Sequence, residues 1–228
     1  MDNPKPREIK SFVLRQGRLT KAQQHAIDTL WPIYGIDTAE SLLDFAQSFG
    51  NDHPVTLEIG FGNGETLAQM AKAAPERNFV GIEVHTPGVG HLLHLIQTQQ
   101  LTNVRILNTD AVDIIKQRMA PNSLDRVQLY FPDPWHKKRH HKRRIVQPEF
   151  VQLIAERLKT GGIFHLATDW QDYALHMAEV MNASMAFKTL AKDGSAFSPC
   201  PNNRPLTKFE QRGLNLGHGV WDLLYQRV

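Results

Sequence analysis

The sequence predicts an α/β fold with a mostly parallel β-sheet and helices on both of its faces. From residue 55 onward, short apolar segments of strand length alternate with segments in which apolar residues recur at helical spacing. Parallel strands need such helical crossovers, whereas antiparallel hairpins do not. The chain of 228 residues is also long enough for one large domain whose core needs no disulfide or metal.

Seven strands are expected in this sheet. Five apolar segments are predicted as strands, at 55–59, 78–84, 104–108, 124–131 and 163–168. Two more strands are expected toward the C-terminus, at 185–190 and 220–227. The helices between them are predicted at 65–74, 87–100, 111–119, 148–159 and 170–182. Pro87 suits the first turn of the second of these helices, and Gly161-Gly162 is typical of the end of the fourth.

Residues 1–50 are interpreted as an N-terminal extension of the main domain, which spans 51–228. Within the extension, Thr20 and Gln23 have the spacing of a capping box. We therefore predict a helix that begins there and ends at Pro32, because proline interrupts helical hydrogen bonding. We expect part of the extension to be disordered.

The composition is that of an ordinary globular protein, with 41% hydrophobic residues and a formal net charge of only +3. The single cysteine, Cys200, cannot form an intramolecular disulfide and lacks a local nucleophile motif. The first ten residues lack the apolar core of a signal peptide, and no apolar run approaches the length of a membrane span. We expect a cytoplasmic protein, and a monomer rather than an oligomer.

A glycine-rich loop follows the first strand at residues 58–64, EIGFGNG. Gly60, Gly62 and Gly64 let the backbone turn sharply and approach a ligand, and the next helix offers N–H groups to an anion such as a methionine carboxylate. The dinucleotide fingerprint G-x-G-x-x-G would require a third glycine where Glu65 stands. The loop instead resembles the cofactor loop of class I methyltransferases. A glycine-rich turn that binds nothing is the alternative.

Acidic residues stand at the ends of the next two predicted strands. Glu83 follows the second strand and can accept hydrogen bonds from ribose hydroxyls, while Asp110 follows the third and can meet an adenine amino group. Each could alternatively be a helix cap or a solvated acid. Their order at successive strand ends favours a shared nucleoside site, because ligands of such sheets bind beyond the carboxyl ends of the strands.

The fourth strand leads into a stiff loop that carries an aspartate. Pro132 and Pro134 flank Asp133, and prolines on both sides hold such a residue in an extended conformation. The alternative is a rigid turn with a solvated carboxylate. A basic run follows at 136–144, HKKRHHKRR, in which six of nine residues are permanently cationic.

This placement of the basic run, inside the domain and beside Asp133, favours phosphate binding over an ordinary solvated surface. We expect it to be mobile without RNA, because a polar, like-charged segment buries nothing. Its histidines, His136, His140 and His141, could be read as metal ligands. The interleaved cations would repel a metal and no carboxylate or cysteine accompanies them, so we expect no metal site.

These segments resemble one family, the bacterial tRNA (guanine-N7-)-methyltransferases. The similarity covers nearly the whole chain. It is carried by LEIGFGNG (57–64), GIEVHTPGVG (81–90), NTDAVD (108–113), FPDPWHKKRHHKRRIVQPEF (131–150), ATDW (167–170), RPLTKFEQRG (204–213) and LGHGVWDL (216–223). The resemblance implies a Rossmann-like class I methyltransferase fold for residues 51–228. It also implies methyl transfer from S-adenosyl-L-methionine to N7 of guanine 46 in the variable loop of tRNA.

The family's roles carry over to matching positions of this chain. Asp133 is implied as the catalytic residue. The implied cofactor contacts are Glu58, Gly60, Gly62, Gly64, Glu83, Asp110 and Asp133. The implied guanine contacts are Lys137, Asp169, Thr207, Lys208, Phe209 and Glu210. The implied RNA contacts are Arg139, His140, His141, Lys142, Arg143 and Arg144.

Two other functions are open on the residues alone. An aminopropyltransferase would use the same nucleoside, but its polyamine substrate is cationic and would avoid the basic run. A non-enzymatic RNA-binding domain would explain the basic run, but it would not need the glycine loop and the acids at the strand ends.

Overall fold

The computed structural model describes residues 10–13, 17–37, 41–202, 204–206, 210 and 219–228. It contains a seven-stranded sheet in the order β3-β2-β1-β4-β5-β7-β6. The strands are β1 (Val55–Ile59), β2 (Asn78–Ile82), β3 (Val104–Leu107), β4 (Leu124–Tyr130), β5 (Leu158–Thr168), β6 (Phe187–Thr189) and β7 (Trp221–Arg227). Among the described strands, β7 alone runs in the opposite direction to the other six, so its pairings with β5 and β6 are antiparallel. The predicted α/β fold with a mostly parallel sheet is confirmed.

Helices cover both faces of the sheet. They are α1 (Lys21–Tyr34), α2 (Phe45–Phe49), α3 (Glu65–Ala73), α4 (Thr86–Gln99), α5 (Ala111–Arg118), α6 (Pro148–Arg157) and α7 (Gln171–Ala183), with a 3-10 helix at Lys138–Arg143. One core cluster joins the sheet to α5, α6 and α7, and a second joins it to α1, α3 and α4. Strands β1 and β2 are buried throughout because both of their faces are covered.

The order of the strands reverses at β1. The chain runs outward from β1 to β2 and β3, then returns to β4 on the other side of β1 and continues to β5. Loops from β1 and β4 therefore diverge and leave a crevice beyond their carboxyl ends, which is where ligands bind in such sheets. The loops after β1, β2, β3 and β4 are the segments that the sequence marked as functional.

The N-terminal extension packs on the main sheet through α1. The capping box is formed: Thr20 Oγ1 accepts from the N–H of Gln23 at 3.2 Å, and Gln23 Oε1 accepts from the N–H of Thr20 at 2.9 Å. The prediction that α1 ends at Pro32 is wrong, since the helix continues to Tyr34. Pro32 costs a single hydrogen bond near the helix end, and the N–H of Gly35 still bonds to Trp31 O at 2.7 Å.

The predicted helix end at Gly161-Gly162 is also wrong. Helix α6 ends at Arg157 and β5 begins at the next residue, so both glycines lie within β5. A β-carbon on Gly162 would lie 2.8 Å from Lys159 O, and the register between β4 and β5 shifts beside Asp125. Gly162 thus allows β5 to bend so that two parts of its backbone lie close together, and neither glycine ends a helix.

The expectation of partial disorder at 1–50 concerns residues that lie partly outside those described. Among the described residues, no helix is both long enough and apolar enough to cross a membrane.

Candidate active site

A cleft of about 820 Å³ lies beyond the carboxyl ends of β1, β2, β3 and β4. Its lining includes residues from the loops after these four strands, among them Gly60, Glu83, Asp110, Asp133 and Lys137, whereas Asp169 and Glu210 are not among the lining residues. Glu58 precedes this lining on β1 and is buried. Side chains separated by up to 79 positions in the chain therefore meet at one edge of the sheet.

The glycine loop turns tightly at the end of β1. Gly60, Gly62 and Gly64 have φ values of 72°, 59° and 75°, in the left-handed region where a β-carbon is strained. The N–H of Gly64 closes the turn on Phe61 O at 2.8 Å. Helix α4 approaches the same loop, and a β-carbon on Gly88 would lie only 2.0 Å from Gly62 O.

Glu83 is fixed by the backbone around it. One carboxylate oxygen accepts from the N–H of Gly62 at 2.8 Å, and the other accepts from the N–H groups of Val84 and His85 at 2.7 and 2.9 Å. The carboxylate therefore joins the glycine loop to the start of α4 while lining the cleft. A carboxylate oxygen has more than one lone pair, so these bonds leave acceptor capacity for a ligand hydroxyl.

Asp110 serves as the N-cap of α5, accepting from the N–H of Val112 at 3.0 Å. Its other oxygen accepts from Lys10 Nζ at 2.8 Å, and Lys10 also reaches Asp113 at 3.2 Å. The hydrogen bond with Asp110 is the main reason why the pKa of Lys10 is raised. These hydrogen bonds hold the N-terminal segment 10–13 at the rim of the cleft. The sequence did not predict this contact, because Lys10 belongs to no recognisable motif.

Glu58 is a buried acid with an unpaired oxygen. Its side chain is 3% exposed, and Oε2 has no hydrogen-bond partner among the described residues. Desolvation, together with the smaller effect of the nearby charge of Glu83, raises the pKa of Glu58 to about 8. A buried carboxyl in this condition holds a proton or needs a cationic partner, which makes Glu58 a candidate for a ligand site.

Asp133 is exposed at the mouth of the cleft, between two prolines. The residues that flank this Pro-Asp-Pro loop, Phe131 and Trp135, have φ values of 51° and 49°, which cost strain for residues with a β-carbon. The loop is anchored at both ends. The N–H of Phe131 donates to Ala167 O at 2.8 Å, and Arg144 Nε donates to Pro134 O at 3.0 Å.

The basic run divides into exposed and structural residues. The cations of Lys137, Lys138, Arg139 and Lys142 are exposed, with His140 and His141 partly buried. Arg143 stacks on Trp135 at 3.9 Å and donates to Lys10 O and Phe12 O, both at 3.0 Å. It therefore holds the N-terminal segment against the basic run.

Arg144 departs from the sequence-based expectation. It is 3% exposed, its guanidinium pairs with Asp172 and lies 4.8 Å from the centre of the Tyr173 ring. The expectation that the basic run buries nothing is therefore wrong, because Arg144 is buried and fastens the loop through its pair with Asp172, whose own side chain is exposed. A side chain so placed is not presented to an RNA phosphate.

The remaining guanine-contact candidates are partly described. Asp169 is half-buried just after β5, next to Trp170, whose ring meets that of His136 edge to face at 4.2 Å. Glu210 is buried, and its two oxygens accept from Arg204 at 2.5 and 2.8 Å. Thr207, Lys208 and Phe209 lie outside the described residues.

Arg204 belongs to a buried polar network that sequence reasoning did not find. The network joins Tyr130, His165, Asp222, Arg204 and Glu210. The only sequence signal was a histidine within the otherwise apolar run of β5, and nothing in the sequence indicated its partners. In the part of the chain that the structure describes, no group of three or more His, Cys, Asp or Glu side chains is placed to hold a metal ion.

Comparison with known proteins agrees with this geometry. Residues 52–223 match the model of a family described as putative methyltransferase. A tRNA (guanine-N(7)-)-methyltransferase of Hydrogenovibrio crunogenus is 57% identical over 97% of this chain and 92% of its own. A protein of the same name from Klebsiella pneumoniae is 55% identical over 100% of this chain and 95% of its own. Another from Vibrio cholerae is 58% identical over 97% of this chain and 93% of its own.

Solved structures show the same fold at low identity. An antibiotic-related methyltransferase has a TM-score of 0.56 at 15% identity, over 86% of this chain and 98% of its own. The 16S rRNA methyltransferase KamB has a TM-score of 0.55 at 16% identity, over 82% and 94%. The predicted Rossmann-like methyltransferase fold is confirmed.

Proposed function

This chain belongs to the tRNA (guanine-N7-)-methyltransferase family, and from that membership we propose that it transfers a methyl group from S-adenosyl-L-methionine to N7 of guanine 46 in the tRNA variable loop. It is an enzyme whose substrate is tRNA. One observation of the structure supports the proposal above all. The cleft at the strand ends is lined by Gly60 of the glycine loop and by the acids Glu83 and Asp110, and Asp133 and the exposed Lys137 lie at its mouth.

The residues of the cleft fit the proposed cofactor. Glu58 offers a buried, unpaired carboxyl to a cationic group, and Gly60 and Gly62 leave open backbone where a β-carbon would meet no atom within 4 Å. Glu83 and Asp110 present carboxylate oxygens to hydroxyl and amino groups. When bound, S-adenosyl-L-methionine supplies an electrophilic methyl group on a sulfonium.

Asp133 is proposed to orient and stabilise the guanine rather than to act as an obligatory base. Guanine N7 carries an in-plane lone pair, so it needs no deprotonation before it attacks. Positive charge develops on the purine as the new bond forms, and a carboxylate held in place by Pro132 and Pro134 is preorganised to stabilise that charge. Most of the rate enhancement should come from alignment of the reacting atoms.

Methyl transfer to unmodified tRNA tests the proposal directly. The protein should label a transcript that carries guanine 46, and the product should be cleaved chemically at that 7-methylguanosine. A transcript with adenine at the same position should stay unlabelled. Transfer of an aminopropyl group from decarboxylated S-adenosylmethionine to a polyamine, with release of methylthioadenosine, would instead favour the aminopropyltransferase. Binding of tRNA without any transfer would favour the non-enzymatic RNA-binding domain. Either result would overturn the proposal.

The exposed cations beside Asp133 should set the salt dependence of tRNA binding. The triple variant carries Lys138→Gln, Arg139→Gln and Lys142→Gln. For it we expect the plot of the logarithm of the tRNA association constant against log salt to become less steep by about 2, since each lost phosphate contact removes about 0.7–0.9 from the slope. Fluorescence anisotropy with labelled tRNA at several salt concentrations measures this slope.

A matched triple variant controls for net charge. Lys72, Lys188 and Lys192 are exposed cations on other surfaces, and changing them to Gln should leave the slope nearly unchanged. Equal slopes for the two triple variants would remove the basic run from the RNA interface. Arg144→Gln should lower the Tm instead, because its charge is buried and paired.

Cofactor affinity should depend on the protonation of Glu58. Its pKa of about 8 means that the acid carries a proton at neutral pH, and pairing with a cationic ligand group must release that proton. We expect the affinity for S-adenosyl-L-methionine to rise with pH up to about 8, by at most about tenfold per unit. Calorimetry in buffers of different ionisation enthalpy should detect the released proton.

Two variants make the assignment specific. Glu58→Gln should weaken binding and abolish the proton release, whereas Glu76→Gln, on the exposed turn after α3, should change neither. Proton release that persists in Glu58→Gln would assign the effect to another group.

A further inference from the structure

Five buried polar side chains form a continuous chain of hydrogen bonds from the end of β4 to residue 210. The Tyr130 hydroxyl lies 2.9 Å from His165 Nδ1, and His165 Nε2 lies 2.7 Å from Asp222 Oδ1. Arg204 donates to both oxygens of Asp222, at 2.8 and 2.9 Å. It also donates to both oxygens of Glu210, so a single guanidinium bridges two carboxylates.

The positions of the protons in this network follow from its charges. Burial lowers the pKa of His165 despite its bond to Asp222, so the ring is neutral. Burial alone would raise the pKa of Asp222, but hydrogen bonds from His165 and Arg204 outweigh it and lower the pKa, so the carboxylate is ionised and can only accept. His165 Nε2 therefore carries the proton, and Nδ1 accepts from the hydroxyl of Tyr130, whose pKa burial raises.

The network runs from the cleft to a residue that is proposed to contact the guanine. Tyr130 is the last residue of β4, lines the cleft and directly precedes the loop of Asp133. The Arg204 guanidinium lies 5.8 and 5.9 Å from the ring centres of Tyr130 and Phe131. At the other end stands Glu210, which is one of the proposed guanine contacts.

Stability alone does not account for this arrangement. Ion pairs in the interior lose much of their attraction to desolvation, and apolar residues of similar volume often stabilise a fold as well or better. What a bidentate arginine supplies is a fixed geometry, because its planar fork sets the direction of each hydrogen bond. On the same face of the sheet, the part over β2 and β3 is covered by apolar side chains from α1, α3 and α4.

We propose that Arg204 is a positioning residue for methyl transfer: held by Asp222, which His165 also contacts, it fixes the carboxylate of Glu210 relative to the loop of Asp133. This inference rests on the proposed function. Its consequence is that the network acts on the alignment of the base, and not on the affinity for tRNA or for the cofactor. A shift of about 1 Å in a reacting group can cost about a hundredfold in rate.

The Arg204→Lys variant tests the proposal. It keeps the positive charge but cannot bridge both carboxylates with directed hydrogen bonds. We expect kcat on tRNA to fall at least tenfold, with the Kd values for tRNA and S-adenosyl-L-methionine within about twofold of the wild type. The matched control is Arg157→Lys, a buried arginine that donates to Ile115 O and Lys116 O away from the cleft; it should lower the Tm but leave kcat unchanged.

A double-mutant cycle separates positioning from general loss of structure. If Arg204 acts through Glu210, the variant Arg204→Lys with Glu210→Gln should lose no more in kcat than the more impaired of the two single variants. Independent, multiplying losses would overturn the proposal. If Arg204→Lys does not fold, Tyr130→Phe provides a milder test, because it removes only the hydroxyl at the other end of the network. An unchanged kcat for Tyr130→Phe would then count against the proposal.

The wild-type assay keeps the two proposals distinguishable. A wild type that methylates tRNA while Arg204→Lys retains full kcat rejects the positioning role alone. A wild type that transfers no methyl group to tRNA rejects the proposed function, and the positioning role with it.

Discussion

The Asp133→Asn variant is expected to lose about a hundredfold or more in kcat while binding tRNA and S-adenosyl-L-methionine almost as well as the wild type. The amide keeps the shape of the side chain and removes its charge. Because the Pro-Asp-Pro loop is anchored by Ala167 and Arg144, the backbone should not move. Loss of one preorganised electrostatic group costs about 100- to 1,000-fold in other enzymes. Single-turnover kinetics with saturating tRNA would measure the effect.

A carboxylate elsewhere on the surface provides the control for this loss. Asp28 on α1 is exposed and accepts only from Gln24 Nε2 among the hydrogen bonds in the described part of the chain. Asp28→Asn should therefore leave kcat unchanged. Turnover by Asp133→Asn equal to that of the wild type would refute the stabilising role of Asp133.

The Gly88→Ala variant should lose at least about tenfold in affinity for S-adenosyl-L-methionine and should also have a lower Tm. An added β-carbon would lie 2.0 Å from Gly62 O, so either α4 or the glycine loop must move. Moving the loop would also disturb the bond from Gly62 N–H to Glu83, at 2.8 Å. Overpacking of this kind costs about 1–3 kcal/mol. Calorimetry and thermal unfolding would report the two effects.

An alanine elsewhere on the same helix controls for changes in helix propensity. Gln97 is exposed on α4, and Gln97→Ala should change neither the cofactor affinity nor, by more than a small amount, the Tm. If Gly88→Ala behaved in the same way, the close contact between α4 and the glycine loop would not constrain the cofactor site.

The local pattern of the sequence was enough to predict most of the fold. Period and spacing are properties of neighbouring residues, so the apolar runs of β1 to β5 and the capping box at Thr20 could be recognised without any partner. Where a local signal competes with packing, prediction failed. Pro32 stays within α1 because it removes only one hydrogen bond near the helix end. Gly161-Gly162 lies within β5 because that strand pairs with β4 and β7, which are distant in the sequence.

For the candidate site, too, one part could be predicted from the sequence and another could not. By itself the sequence determined which loops meet, since the carboxyl ends of parallel strands share one edge and Glu83, Asp110 and Asp133 each follow a strand. Only the tertiary structure decided how the cations are used: of two adjacent arginines, Arg143 stacks on Trp135 while Arg144 is buried against Asp172. It also decided that Arg204 bridges two carboxylates. Charge is a property of the residue, but burial and hydrogen-bond partners depend on chain segments far away in the sequence, so no local pattern contains them.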